Sequence, residues 1–151
     1  MLLSPHFSLA ELTFSQTAAR LGMDNTPTPE GTENLARLCN QLLEPLRALL
    51  GVPIHVDSGY RSPLVNAAVG GVITSAHCDG RAADFIPVGM GLDAAFGRIH
   101  ESELSFDQVI REFPPGGWIH IGIAPAGKLP RRQVLIAERI DGRTVYRVVQ
   151  K

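Results

Sequence analysis

Between Pro29 and Gly51 the chain places Leu35, Leu38, Leu42, Leu46 and Leu49 at steps of three and four residues. That spacing returns to one side of an α-helix at every turn, so a rod of about six turns with a single apolar face is predicted. Thr28 is a good N-cap, Pro29 suits the first helical position, and Gly51 is the stop signal. An apolar stripe of this length has to be covered, and the chain beyond Gly51 is mostly strand-like.

After Val52 the texture shortens. "IHVDS" reads as a strand, and "SPLVNAAVGG" as a brief helix capped by Ser62 and stopped by its glycines. "AADFI" is a buried strand, "LDAAFGRIHE" a helix, and "FDQVIREF" and "WIHIGI" are strands joined through the turn "PPGG". The two β-rich runs of "RQVLIAERIDGRTVYRVV" flank Asp141-Gly142, a strong hairpin signal. Upstream, "SLAE" at 8–11 has the form of a capping box, with Ser8 and Glu11 exchanging bonds, and predicts a short helix to about Arg20. The expectation is one α+β domain over 1–151, with a helical part over 8–50, a core over 52–123 and a C-terminal β-hairpin over 133–149.

Several function classes start at a disadvantage. Lys and Arg number 14 against 15 Asp and Glu, a formal charge of −1, so no net basic field draws in nucleic acid. With 44% apolar and 19% charged residues the chain is globular rather than disordered. Cys39 and Cys78 form no redox or disulfide pattern and read as thiols of a reducing compartment. The start lacks a basic n-region and a sustained apolar run, and nothing approaches a membrane span; synthesis in the cytoplasm without a signal peptide, no membrane insertion and a monomeric state are expected.

The chemistry concentrates in "SAHCDGRAADF", residues 75–85, and "GWIHIGI", residues 117–123. His77 and Asp84 are suitable donors for Zn²⁺, and His120 is a third, turned by strand alternation to the side of Trp118 and Gly122. Gly80, Ala82 and Ala83 would let the chain turn tightly and carry Asp84 back toward His77. The same residues admit a plainer reading: a turn aspartate and two core histidines with satisfied hydrogen bonds.

Four stretches, "SGYRSPLVNAAVGG" (58–71), "SAHCDGRAADF", "FDQVIRE" (106–112) and "WIHIGI", together resemble the zinc D-alanyl-D-alanine carboxypeptidase family, and in particular its small phage-associated branch. The resemblance extends to "FSLAEL" and "LLEPLRALLG", and the signature Ser-x-His-x-x-Gly-x-Ala-x-Asp is met by Ser75, His77, Gly80, Ala82 and Asp84. It implies a hedgehog-like α+β fold, a small mostly antiparallel sheet with helices packed on it. It also implies one Zn²⁺ held by His77, Asp84 and His120, and hydrolysis of peptidoglycan stem peptides as a D,D-carboxypeptidase or an L,D-type endopeptidase. Such an enzyme would reach the cell wall by phage lysis or virion delivery. Arg61 matches the arginine that faces substrate, its plainer alternative being a surface salt bridge, and Ser75 a residue that bonds substrate or the ligand loop, or else only caps a turn.

The pattern departs at the general base. Many relatives carry an acid three positions before the last histidine, where this chain has Gly117. Glu112 and Asp107 on the preceding strand are the substitutes, Glu112 preferred because it lies nearest the turn. Strand parity leaves the choice open, since Glu112 shares a side with Gln108 and Ile110 and Asp107 with Val109 and Arg111. Gly117 also leaves room for a catalytically silent module that binds wall peptide or serves in assembly; a structural domain without metal is a third reading. His55 reads as an orienting partner of a ligand or, preferably, a buried structural histidine, and "KLPRR" at 128–132 as a solvated turn.

Overall fold

The structure, a computed structural model, describes residues 1–72 and 74–149. The leucine rod is there, running from α3 (Pro29–Leu38) through a π-helical stretch at Cys39–Leu43 into α4 (Glu44–Leu50). Thr28 caps it by accepting from the Gly31 N–H at 3.0 Å, and Gly51 ends it in the left-handed region at φ +70. The π stretch has a local cause. Pro45 has no N–H to give the Gln41 carbonyl, and a widened turn accommodates the missing bond. The extra residue rotates the apolar face, so Leu43 and Leu50 join Leu35, Leu38, Leu42 and Leu46 in full burial while Leu49 is only half-buried.

The rod packs on one face of a six-stranded sheet. Its strands are β3 (Ile54–Ser58), β4 (Ala82–Pro87), β5 (Gln108–Glu112), β6 (Trp118–Gly122), β7 (Gln133–Ile140) and β8 (Arg143–Val148), in the order β3-β4-β6-β5-β7-β8. All pairings are antiparallel except β5 with β7. Val56, Ala83, Phe85, Val109, Ile119, Ile121 and Val134 alternate onto the helix-covered face, where they join the leucines, Phe96 and Ile99 of α7 (Leu92–His100) in one core. The opposite face carries Asp84, His120, Ile110, Glu112, Leu135 and Ala137, which register places side by side.

Two expectations need correction at the N-terminus. The single helix to Arg20 is two short ones, α1 (Leu9–Thr13) and α2 (Gln16–Leu21), because Ser15 adopts an extended conformation and caps a fresh start by accepting from the Ala18 N–H. Ser8 accepts from the Glu11 N–H at 3.1 Å, but among the described residues Glu11 returns no bond. A small hairpin, β1 (Leu2–Ser4) with β2 (Phe7–Ser8), was not apparent in the sequence; it is tied to the rod by Glu44, which accepts from the Ser4 hydroxyl at 2.7 Å and the His6 N–H at 2.8 Å.

Candidate metal centre

Asp84 on β4 and His120 on β6 are direct cross-strand partners, which forces their side chains to the same side of the sheet. His77 arrives from above on α6 (Ala76–Asp79), a single turn between α5 (Pro63–Ala68) and β4. Ser75 starts that turn by accepting from the His77 N–H at 3.2 Å, and Gly80 ends it at φ +78. At Gly80 a Cβ would lie 2.5 Å from the Gly31 carbonyl oxygen, so the glycine is needed both for its conformation and for its closeness to the rod. The fully buried Ala82 and Ala83 let the next strand enter without displacing its neighbours.

The three donor atoms converge. Asp84 Oδ1 is 3.0 Å from His120 Nδ1 and 3.2 Å from His77 Nε2, and the two imidazole nitrogens are 3.2 Å apart. Tetrahedral ligands at zinc distances of about 2.0–2.1 Å are separated by about 3.3 Å, so the residues present fit that ion. The remaining His77 nitrogen, Nδ1, lies 2.7 Å from the Gly59 carbonyl; as donor to it, the ring keeps Nε2 free as a ligand atom. Burial alone would raise the Asp84 carboxyl, but when the imidazoles are protonated instead of ligating, the His77 charge and hydrogen bonds from both rings outweigh it and hold the group well below the usual carboxylate range.

A groove of about 650 Å³ opens over the cluster, and most of the residues predicted from sequence line it. Arg61 is one; its backbone N–H donates to the His77 carbonyl at 3.0 Å, while its side-chain Nε is buried without a hydrogen-bond partner among the described residues. Among the described residues it forms no salt bridge. Ser75 lines the groove and also caps α6.

The two candidate bases are separated by register. Glu112 lies two residues beyond Ile110, the cross-strand partner of His120, and therefore on the face of the triad. Its Oε2 accepts from the Trp118 Nε1–H at 2.6 Å. Burial pushes the Glu112 carboxyl up and the Asp84 charge pushes it further, and although His120, Trp118 and Arg61 pull back, it stays above its ordinary value. Asp107 precedes β5 and is engaged by Arg131, whose Nη2 donates to Oδ2 at 2.7 Å and whose backbone N–H donates to Oδ1 at 3.0 Å. Burial would raise Asp107, but these bonds hold it below the usual range.

Gly117, where the resemblance implies an acid, has a backbone reason to be glycine. Its φ is +74, and a Cβ there would fall 1.8 Å from the Glu112 carbonyl oxygen, so this turn admits no acid at that position. His55 is not buried: its side chain is 67% exposed and sits 3.3 Å from Asp57. "KLPRR" is only partly a solvated turn, since Arg131 holds Asp107 and Arg132 donates to the Leu104 and Ser102 carbonyls.

A family model described as Peptidase M15 matches residues 5–122 of the 151. The chain belongs to the Peptidase M15 family. Membership makes it a metallopeptidase of a zinc-using family, with a peptide-type substrate. The His-Asp-His cluster lies wholly within the matched M15 segment. No curated protein matches the chain. No helix among the described residues is long and apolar enough to cross a membrane.

Sequence reasoning missed Arg111 and the contribution of the C-terminal hairpin. Arg111 is 2% exposed on the helix-covered face. It donates to the carbonyls of Glu112, Pro115 and Gly116 and to Asp93 on α7, pinning the turn between β5 and β6. The one signal for it was a charged residue at an apolar position of "FDQVIRE". Arg139 and Tyr146 of the hairpin line the far end of the groove.

Proposed function

We propose that this M15 peptidase hydrolyses peptidoglycan stem peptides, as a D,D-carboxypeptidase or an L,D-type endopeptidase, with one Zn²⁺ held by His77, Asp84 and His120. The observation that carries the reading is the convergence of those three donor atoms, each within 3.2 Å of the others, at the floor of an open groove. When bound, zinc acidifies water and polarises a peptide carbonyl.

The chain's own residues supply the rest. Glu112, on the face of the triad and oriented by Trp118, takes the proton of the attacking water and returns it to the leaving amine. Its raised pKa suits a group that must both accept and release a proton. Arg61 lines the groove with no hydrogen-bond partner for its buried Nε among the described residues, and its guanidinium is fit for a peptide carboxylate or for charge developing on the carbonyl oxygen. Ser75 holds His77 through the cap of α6. Gly117, the feature that favoured a silent module, is accounted for by the turn, and Glu112 stands on the triad's face instead of an acid there.

Mass spectrometry of muropeptides digested with and without chelator tests the proposal. Loss of one terminal D-alanine indicates the carboxypeptidase and internal cleavage the endopeptidase, both abolished by chelator. Zinc-loaded protein that leaves all muropeptides intact contradicts it. Delivery to the wall by phage lysis or virion is part of the same proposal.

A further inference from the structure

The family match ends at residue 122, yet the groove does not end there. β7 lies parallel beside β5 and β8 pairs with β7, so the hairpin extends the floor beyond the triad. Register sets Glu112, Ala137 and Tyr146 in one row across three strands. Ile110, Leu135 and Ala137 are buried as a small apolar cluster separate from the main core, and of these Ile110 reaches the groove wall.

Four arginines line the groove. Arg81 is paired with Asp79, and Arg131 with Asp107. Arg61 and Arg139 have no carboxylate partner among the described residues. Arg139 is braced: its Cζ lies 5.6 Å from the centroid of the Phe113 ring, and Phe113 stands edge-on to Trp118 at 5.5 Å. A guanidinium stacked on an aromatic face keeps its N–H edge free for a planar oxyanion. In strand order the triad lies between the loop that carries Arg61 and the hairpin that carries Arg139.

We propose that Arg139, backed by Phe113 and flanked by Tyr146, is a subsite for a carboxylate on the bound peptide, remote from the scissile bond. This rests on the peptidase reading above. In register Leu135 stands two strands from His120 and Arg139 four residues further along β7, so the two Cα atoms are about 16 Å apart; with the arginine side chain reaching back toward the triad, an extended peptide at about 3.3 Å per residue crosses the span in about three to five residues. The occupant is thus an extended peptide with an acidic group at about the third residue.

The test compares L-alanyl-γ-D-glutamyl-L-lysyl-D-alanyl-D-alanine with its analogue carrying a carboxamide in place of the glutamyl α-carboxylate, three residues from the terminal bond. KM is read by turnover. Kd is read by the fluorescence of Trp118, the only tryptophan in the chain. The expected result is about a tenfold preference for the carboxylate peptide, collapsing to near parity in Arg139→Gln. A preference that survives the substitution, no preference in the wild-type protein, or no saturable binding of either peptide overturns the subsite. If the zinc-loaded protein discriminates through Arg139 by fluorescence but cleaves nothing, the subsite stands and the peptidase reading falls. Cleavage without discrimination has the reverse meaning.

Discussion

Glu112 shows how much a single side chain depends on its neighbour. Its carboxylate is the form that accepts a proton, so activity should rise with pH through its folded pKa, which burial and Asp84 place above the ordinary 4.5. Trp118 donates to that carboxylate and favours the charged form. Trp118→Phe is therefore expected to move the acid limb of kcat/KM to higher pH, measured across a buffer series; a midpoint that moves down contradicts the assignment. Glu112→Gln should cut kcat by about 10²–10⁴-fold while zinc content is unchanged. The grouping of His77, Asp84 and His120 was legible in the sequence because they are donor types in a spaced signature. The choice between Glu112 and Asp107 was not, because it turns on which residue of β5 stands opposite His120, and pairing register is set by tertiary contacts.

The turn from β5 to β6 decides what the elements present to the groove. Arg111 reaches from the helix-covered face and satisfies three carbonyls of this turn. Arg111→Met leaves those acceptors without their donor and is expected to cost about 1–3 kcal/mol in urea unfolding, with a shift in Trp118 emission as the turn loosens. Gly117→Asp, which places an acid three positions before His120, is expected to lose at least about 1–3 kcal/mol to the positive φ and the clash with the Glu112 carbonyl, and to gain no activity. A Gly117→Asp protein as stable as wild type and faster would refute this account of the turn. Most elements could be read from periodicity and capping residues. The break at Ser15 and the π stretch before Pro45 could not, since in both cases local hydrogen bonding overrode a continuous helical pattern.

At the scale of the whole molecule, three separate pieces of chain meet at one point: two strands adjacent in the sheet but 36 residues apart in sequence, and a one-turn helix held against the rod by Gly80. The α+β class was readable from the leucine rod and the strand signals, whereas the parallel return of β7 beside β5, which carries Arg139 and Tyr146 to the groove, rests on packing no local pattern records. Because the three donors converge only in the folded state, zinc should stabilise the fold; at a hundred times its Kd the gain is about 2.7 kcal/mol, seen as a higher Tm that chelator removes. The most direct measurement is calorimetric titration of zinc into chelator-stripped protein, wild type beside His77→Ala and His120→Ala. One ion per chain in the wild type and no saturable binding in either variant is the predicted result. Wild-type protein that takes up no zinc, or variants that bind it equally well, would contradict the account.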